Sequence, residues 1–321
     1  MRTTRLAPSP TGALHLGNAM SFLLCWGLAR HEGWRIVLRI EDLDTPRIKP
    51  AALQAVIDDL RWLGIDWDDG PFRQADQTER YQAALDRLRA QGAIYPSRAT
   101  RSDARAAQSA PHRDDHEVAF PAVLRPSEDD PIWRHPDLLQ DDGVAWRLRV
   151  EPGPVATEDQ RHGRLSFNVA DEVGDFVVAS KAGAAAYQLA VVVDDAAQGV
   201  TDIVRGDDLL GSTARQRLLA DHLGLATFTP CYWHHPLVSG EDGRRLAKRH
   251  GDTRLSAYRE AGTHPARVLG LAGWWLGLLP TPRPLTAPEF IDLCHPTRYT
   301  LEPVCFTPAD DAWLLGGPPP C

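Results

Sequence analysis

Short apolar runs and longer apolar stretches of helical period succeed one another through the first ninety residues. "TTRLA" near the start and "WRIVLRI", residues 34–40, are typical of buried strands. Between them, residues 16–30 are almost wholly apolar and predict a helix that ends near Gly33. Apolar positions at a 3.6-residue period predict two more helices, one opened by Pro50 and one over residues 78–90. This order predicts an α/β fold with a doubly wound parallel sheet.

The pattern changes after Tyr95. Residues 98–142 are rich in Arg, Asp, Pro and Ala and show little periodicity, which indicates an inserted, loop-rich module. "VAWRLRV" and "DFVVAS" predict strands at its far end, and "YQLAVVVDD" and "GVTDIVRG" predict that the sheet then resumes. A helix over residues 212–222, a polar loop and the helix "PARVLGLAGWWLGLL" follow, before a Pro-rich tail.

Composition narrows the class of protein. Of the 321 residues 43% are hydrophobic and 24% charged, as in soluble globular chains long enough for two or more domains. The net charge of −8 gives no overall basic surface for nucleic acid and leaves only local patches. The five cysteines are scattered, and no apolar run is long enough for a signal segment or a membrane span. We therefore expect a cytoplasmic protein with reduced thiols and no membrane partner.

The stretch "RLAPSPTGALHLGN", Arg5 to Asn18, joins the first strand to the first helix. It places a helix N-terminus at the carboxyl edge of a parallel sheet, where open α/β folds bind anions. Gly12 and Gly17 allow a ligand to approach the backbone, and His15 can donate to phosphate oxygens. Taken alone, the same pattern also fits a turn whose histidine serves only the loop.

The whole stretch, called here the first signature, resembles that of the class I aminoacyl-tRNA synthetases, in the form used by the glutamyl and glutaminyl branch. The second signature of that family resembles "RLAKRHG", Arg245–Gly251. Three further motifs lie between them in the family's order: "RIEDLDTPR" at Arg39–Arg47, "YQLAVVVDD" at Tyr187–Asp195 and "GVTDIVRGDDLL" at Gly199–Leu210. The resemblance extends from Arg2 to the helix that ends near Leu279.

The resemblance implies a Rossmann-like catalytic domain in two halves, residues 1–95 and 175–240. Residues 96–174 are then an inserted α+β module that binds the acceptor, and residues 241–321 hold the second signature, a helical region similar to a stem-contact domain and the tail. Only about forty residues follow Leu279, too few for an anticodon-binding domain. By size the chain resembles the glutamyl-queuosine tRNA(Asp) synthetases, which activate glutamate without tRNA and esterify it to the queuosine base of tRNA(Asp).

The reaction of this family needs positioned reactants and stabilised negative charge, and no covalent nucleophile. ATP is implied as a substrate, with Mg²⁺ arriving on its phosphates. The family positions that bind ATP correspond to His15, Gly17 and Lys248. Those that assist catalysis correspond to His15, Gly17, Asn18, Lys248 and Arg249.

A glutamate side chain calls for arginine, because the guanidinium fork matches a carboxylate. The family's glutamate-binding positions correspond to Arg5, Ala7, Ser9, Glu41, Tyr187 and Arg205. Arg5 and Arg205 supply positive charge, and Glu41 can accept from the α-ammonium group. An Arg or a Glu at a strand end is otherwise a common surface ion pair, and Glu41, Asp42 and Asp44 are a second-ranked candidate for a metal cluster.

The chain departs from the family pattern at two places. Many relatives hold zinc in the insertion, but the matching positions are not normal zinc ligands here: Ser97, Ala99, Phe120 and Leu124. His112 and His116 lie nearby without a third ligand, so we expect no zinc and no other bound metal. Ala247 replaces the serine usual in the second signature, which removes one hydroxyl.

Three functions follow from these observations. The first is ATP-dependent activation of L-glutamate and its transfer to the queuosine base of tRNA(Asp). The second is a truncated glutamyl-tRNA synthetase that charges a tRNA 3′ end. The third is a catalytically degenerate relative that binds nucleotide or RNA, which Ala247 and the missing zinc ligands suggest. We expect a monomer.

Overall fold

The computed structural model describes residues 1–43, 50–100, 102–104, 119–127, 144–244, 246 and 252–320. The strands of these residues are β1 (Thr3–Leu6), β2 (Arg35–Ile40), β3 (Asp69–Arg73), β4 (Ile94–Ser97), β5 (Ala145–Leu148), β6 (Val155–Asp159), β7 (Gly163–Phe167), β8 (Val177–Ala179), β9 (Asp202–Gly206), β10 (Cys231–His235), β11 (Val238–Ser239) and β12 (Val304–Cys305). The α-helices are α1 (Leu16–His31), α2 (Pro50–Trp62), α3 (Thr78–Ala90), α4 (Val169–Glu172), α5 (Tyr187–Ala197), α6 (Leu210–His222), α7 (Leu255–Glu260), α8 (Pro265–Trp275), α9 (Ala287–Leu293) and α10 (Pro308–Leu314).

Parallel strands form the centre of the molecule. One sheet has the order β1-β2-β3 and a second has the order β7-β6-β10-β9, with only the β6–β7 pair antiparallel. A hydrogen bond from Thr201 N to Thr3 O (2.8 Å) joins the edges of the two sheets. The carboxyl ends of β1, β2, β9 and β10 therefore lie along one rim.

Side chains alternate between the two faces of this layer, as the pleat of a strand requires. On one face Leu6, Leu38 and Val204 join the core built around α1 and the C-terminal helices. A second core lies around α3, α5 and α6. Helices on both faces of a parallel sheet make a doubly wound α/β fold, which confirms the predicted class.

Most elements follow the sequence pattern. The helix predicted over residues 78–90 has those bounds, and the strands predicted from "TTRLA", "WRIVLRI", "VAWRLRV" and "DFVVAS" are present. The strand predicted for "YQLAVVVDD" is wrong, because Tyr187–Ala197 is a helix. The hairpin β6–β7 lies within residues 96–174, the range predicted for the inserted module. Its strand β6 nevertheless pairs with β10 and so belongs to the parallel layer of the centre.

Candidate active site

The first signature turns from β1 into α1 at the rim of the sheet. His15 is the N-cap residue of α1, and its backbone N–H donates to Oδ1 of Asn18 (3.2 Å). A Cβ atom added at Gly17 would lie only 3.2 Å from Cε1 and Nδ1 of His15, so glycine lets the imidazole fold over the first helical turn. Asn18 thus has a capping role, and the positive end of the helix dipole faces the rim.

The segment that follows the second signature contacts the first signature: Leu16 N donates to Thr253 O (3.0 Å), and Leu255 N donates to Leu14 O (2.9 Å). Within the second signature, Leu246 N donates to Val238 O (2.9 Å), and a Cβ atom added at Gly17 would lie 3.8 Å from the Val238 Cβ. Leu246 and residues 253–255 therefore lie near the start of α1. Of the predicted catalytic residues, Lys248 and Arg249 lie outside the described residues, as does Ala247.

Arg5 and Arg205 lie on two neighbouring strands, β1 and β9, and both are 5% exposed. Their strand neighbours Leu6 and Val204 join the same core, so by alternation Arg5 and Arg205 both lie on the opposite face of the sheet, and Nη1 of Arg5 donates to Val204 O on β9 (3.4 Å). Burial lowers the pKa of Arg205, and the positive charge of Arg5 adds to that effect. An anionic ligand between the two guanidinium groups relieves this repulsion.

Glu41 and Tyr187 carry the other predicted glutamate contacts. Glu41 follows β2, where its backbone N–H donates to Pro8 O (2.9 Å), and burial raises the pKa of its carboxyl against the pull of Arg39 and Arg5. Tyr187 begins α5 and is 39% exposed. Burial and the Glu41 charge raise the pKa of its phenol, opposed by Arg205 and Arg5. The four side chains therefore act on one another in a single electrostatic site.

Ala7 and Ser9 lie in the turn after β1. Ala7 is half-buried, and Ser9 is exposed with its Oγ 3.4 Å from Oγ1 of Thr11. No described contact joins either residue to Arg5 or Arg205, so their assignment to the glutamate site stays a prediction.

Asp195 on α5 forms a buried ion pair with Arg5. Its Oδ1 atom lies 3.3 Å from Nε of Arg5 and accepts a hydrogen bond from Nη1 of Arg39 (2.6 Å). Arg39 is 1% exposed and also approaches Glu41, with 3.4 Å between Nη2 and Oε1. The "RIEDLD" motif and the "VVVDD" motif thus form one buried ion-pair network beneath the candidate substrate site.

Five protein groups surround the Arg205 guanidinium. Nε donates to Nε2 of His234 (3.0 Å) and Nη1 to Oε1 of Gln216 (2.8 Å). Nη2 donates to Leu209 O (3.2 Å) and to Oγ1 of Thr213 (2.7 Å), while the Tyr232 ring centroid lies 5.1 Å from Cζ. Sequence reasoning did not find His234, Gln216 or Thr213, because none of them belongs to a recognisable motif.

A cavity of about 480 Å³ lies beside these groups. Thr213, Gln216 and Tyr232 line it, but none of Arg5, Glu41, Tyr187 and Arg205 does. It therefore adjoins the support of Arg205 and is separate from the candidate glutamate site.

The acidic residues after β2 have different roles. Asp42 is fully buried, accepts from Ala75 N (2.8 Å) and from Nε of Arg73 (2.7 Å), and so fixes the turn after β3. Asp44 lies outside the described residues. The described residues contain no group of three or more His, Cys, Asp or Glu side chains arranged to hold a metal ion.

The positions that match the zinc ligands of relatives are packed or hydrogen-bonded. Phe120 is buried in a small core with Tyr95 and Ala104, against which Ala99 and Leu124 pack. Ser97 ends β4, and its Oγ accepts from Ala99 N (3.3 Å). His112 and His116 lie outside the described residues.

A carboxylate on the far side of this small core completes its support. Asp175 accepts from the Tyr95 hydroxyl (2.6 Å), from Nε of Arg125 (2.6 Å) and from Val150 N (2.8 Å). Apolar packing and a buried carboxylate hold the described part of the insertion.

Comparisons with known proteins identify the family and the fold of the chain. The family model for the catalytic domain of class I tRNA synthetases (E and Q) matches residues 2–276. A glutamyl-Q tRNA(Asp) synthetase of Rhodopirellula baltica is 44% identical, over 91% of this chain and 90% of the relative, and one of Symbiobacterium thermophilum is 42% identical over 98% of each.

A crystal structure of a glutamate-tRNA synthetase from Elizabethkingia anophelis shares the fold with a TM-score of 0.80 at 24% identity, covering 98% of this chain and 69% of that one. Among the described residues, no helix has the length and apolar character needed to cross a membrane. The matches cover most of the chain at high identity, and they agree with the two signatures and the parallel fold. The chain belongs to the class I aminoacyl-tRNA synthetases of the glutamyl and glutaminyl branch and is a ligase.

Proposed function

We propose that this enzyme activates L-glutamate with ATP and transfers the glutamyl group to the queuosine base of tRNA(Asp). The observation that carries glutamate recognition is the pair of buried arginines, Arg5 and Arg205, beside Glu41 and Tyr187 at the rim of the sheet. Two cations suit a substrate with two carboxylates, and Glu41 suits its α-ammonium group.

Activation joins an oxygen of the glutamate α-carboxylate to the α-phosphorus of ATP and breaks the bond to pyrophosphate. The start of α1 and His15 stabilise phosphate charge, and Lys248 in the second signature stabilises the leaving pyrophosphate. Mg²⁺ enters with ATP as part of that substrate. In the second step a hydroxyl oxygen of the acceptor attacks the glutamyl carbonyl carbon, the bond to the AMP phosphate breaks, AMP leaves, and the proton of the hydroxyl passes to solvent.

The choice of acceptor rests on the relatives. Those covered almost end to end by this chain are named glutamyl-Q tRNA(Asp) synthetases, whereas the chain spans 57% of a glutamate–tRNA ligase of Halorhodospira halophila. This correspondence favours the queuosine base over a 3′-terminal ribose. ATP–pyrophosphate exchange with glutamate, run with and without tRNA, tests the first step. Exchange without tRNA supports the proposal.

The other two functions predict different results. Exchange that strictly requires tRNA favours a truncated glutamyl-tRNA synthetase, and no exchange in either condition favours a non-catalytic relative. The second step is tested by transfer of labelled glutamate to tRNA(Asp) with and without queuosine. Equal labelling of both RNAs overturns the queuosine assignment and leaves glutamate activation intact.

A further inference from the structure

The guanidinium of Arg205 has little freedom before any ligand binds. An arginine carries five N–H donors, and described residues accept four of those of Arg205: His234, Gln216, Leu209 and Thr213. One donor on Nη1 has no acceptor among the described residues. The groups that accept from the other four donors therefore set the orientation of the Arg205 guanidinium and of its remaining N–H.

His234 is the one of these groups that can take more than one protonation state, and Asp159 contacts its other ring nitrogen. Nε–H of arginine can only donate, so Nε2 of His234 must present its lone pair at the 3.0 Å contact. The proton of a neutral imidazole then sits on Nδ1, which lies 2.7 Å from Oδ2 of Asp159. Burial lowers the pKa of His234, the hydrogen bond and charge of Asp159 oppose this effect, and the charge of Arg205 adds to it. The two hydrogen-bond contacts select the neutral Nδ1–H tautomer.

Asp159 is fixed at the end of β6. Its Oδ2 atom also accepts from His234 N (3.1 Å), and its Oδ1 atom accepts from Arg161 N and His162 N (both 2.8 Å) in the turn before β7. Four donors thus hold one buried carboxylate. The chain Asp159–His234–Arg205 resembles in its logic the carboxylate–histidine pairs that orient metal ligands, with a guanidinium in place of the metal.

We propose that Asp159 and His234 are positioning residues that hold Arg205 in the orientation that receives the substrate carboxylate. This inference rests on the proposed function, since it takes Arg205 to be a glutamate contact. His234 acts through its Nε2 lone pair, and Asp159 acts by keeping that lone pair aimed at Nε of Arg205. Loss of the lone pair frees the guanidinium to turn and weakens glutamate binding without affecting ATP.

Two substitutions distinguish the effect of the Nε2 lone pair from the effect of side-chain volume at position 234. In His234→Asn the amide lies near the position of Nδ1 and can still donate to Asp159, but no atom reaches Arg205. In His234→Gln the side chain is long enough for Oε1 to accept from Nε of Arg205. We expect His234→Asn to raise the KM for glutamate about 10-fold in ATP–pyrophosphate exchange, with the KM for ATP unchanged. His234→Gln should recover most of that loss.

Tyr299→Phe is the matched control, because its hydroxyl donates to the backbone oxygen of His234 (3.1 Å) and does not contact the imidazole. It should leave the KM for glutamate unchanged. Equal KM values for wild type and His234→Asn, or equal losses in the Asn and Gln variants, overturn the positioning role. An inactive wild type refutes the proposed function instead.

A measurement on the wild-type chain covers the case in which His234→Asn does not fold. ¹⁵N NMR of the imidazole nitrogens distinguishes the two neutral tautomers, and the resonance lost in His234→Gln assigns His234. We expect the Nδ1–H tautomer at neutral pH. An Nε2–H tautomer or an imidazolium ion there contradicts the proposal, because neither can accept from Arg205.

Discussion

His15 and Arg254 pair through their backbones as an isolated antiparallel β-bridge. This contact ties the residue that caps α1 to the residue that precedes α7, on the far side of the second signature. On the near side, Leu246 N donates to Val238 O (2.9 Å), and Val238 lies beside Gly17, where an added Cβ atom would be 3.8 Å from the Val238 Cβ. The described residues on both sides of positions 247–251 therefore lie beside the first signature, as the proposed ATP site requires.

Lys248→Ala should slow activation much more than it weakens ATP binding. A preorganised cation that meets the leaving pyrophosphate contributes mainly in the transition state, so kcat for exchange should fall about 10²- to 10³-fold. The KM for ATP should change little. Arg244→Ala, which removes an exposed cation from the same loop, is the control. Equal effects of Lys248→Ala on kcat and on KM contradict the role given to Lys248.

Arg205→Ala should raise the KM for glutamate about 100-fold while the KM for ATP stays near its wild-type value. Arg205→Lys keeps the charge but loses the planar set of donors that His234, Gln216 and Thr213 receive, so it should recover little. Arg217→Ala is the matched control, because Arg217 is on the same helix as Gln216 but pairs with Asp221 near solvent. A glutamate saturation curve unchanged in Arg205→Ala removes this residue from the site.

Local pattern predicted most of the elements, and the exception has a physical reason. Nine residues from Tyr187 to Asp195 contain a run of valines and suit a buried strand as well as a buried helix. As a strand, Asp194 and Asp195 would point to opposite faces. In the helix they are about 100° apart, and both reach Arg39, with Asp195 Oδ1 2.6 Å from Nη1 and Asp194 Oδ2 3.8 Å from Nε. The helix is thus the arrangement that gives both carboxylates a buried cation, a long-range contact that local pattern does not encode.

The candidate site also has residues that local sequence pattern indicates and residues that only the folded sheet brings together. Arg5, Glu41, Tyr187 and Arg205 sit in motifs with a recognisable order, so the sequence analysis could propose them, and the structure places their charges close enough to act on one another. His234 and Asp159 meet only because β10 pairs with both β9 and β6, with Tyr232 opposite Asp159 and His234 opposite Arg205. Strand register over such separations is a property of the folded sheet, and no local signal in one sequence encodes it.

Apolar packing and the buried Asp175 carboxylate should hold the insertion without a metal, so purified protein should contain no stoichiometric zinc. Phe120 fills the small core with Tyr95 and stacks under Arg147, whose Cζ lies 3.6 Å from the ring centroid. A metal chelator should leave the melting temperature unchanged. Phe120→Ala should cost about 3 kcal/mol of unfolding free energy. One equivalent of zinc by elemental analysis, or melting that shifts with chelator, refutes this prediction.

Asp59→Asn should stabilise the fold at neutral pH. Asp59 is buried on α2, where burial raises the pKa of its carboxyl to about 6 although Arg259 lies 3.2 Å away. The folded chain therefore holds a proton that the unfolded chain has already lost, and wild-type stability declines as the pH rises from about 4 to 6. Relative to wild type, the variant should gain up to about 2 kcal/mol between pH 4 and pH 8.

Urea denaturation at both pH values measures this difference for Asp59→Asn. Asp58→Asn is the comparison, because Asp58 is half-exposed, interacts with Gln54 (2.8 Å), and its charge is the smallest of the three causes that act on the pKa of Asp59, so its pH-dependent change should be much smaller. A difference between Asp59→Asn and wild type that does not grow with pH contradicts the raised pKa.

His235 should lower the stability of the fold as the pH falls, whereas Asp59 lowers it as the pH rises. The side chain is fully buried, its Nδ1 lies 2.9 Å from Pro236 O, and burial lowers its pKa to about 4. Below about pH 6.5 the unfolded chain takes up a proton that the folded chain does not, so stability is lost as the pH falls from about 6.5 to 4. His235→Leu removes this titratable group from the folded and the unfolded chain and places an apolar side chain at the buried position.

The unfolding free energy of His235→Leu should therefore improve relative to wild type by about 2 kcal/mol between pH 8 and pH 5. Its value at pH 8 alone reports only the change in packing and the lost contact with Pro236, so the pH-dependent part isolates the imidazole. Parallel stability curves for the two proteins mean that His235 binds protons equally well in the folded and unfolded chains, and that its burial has no electrostatic cost.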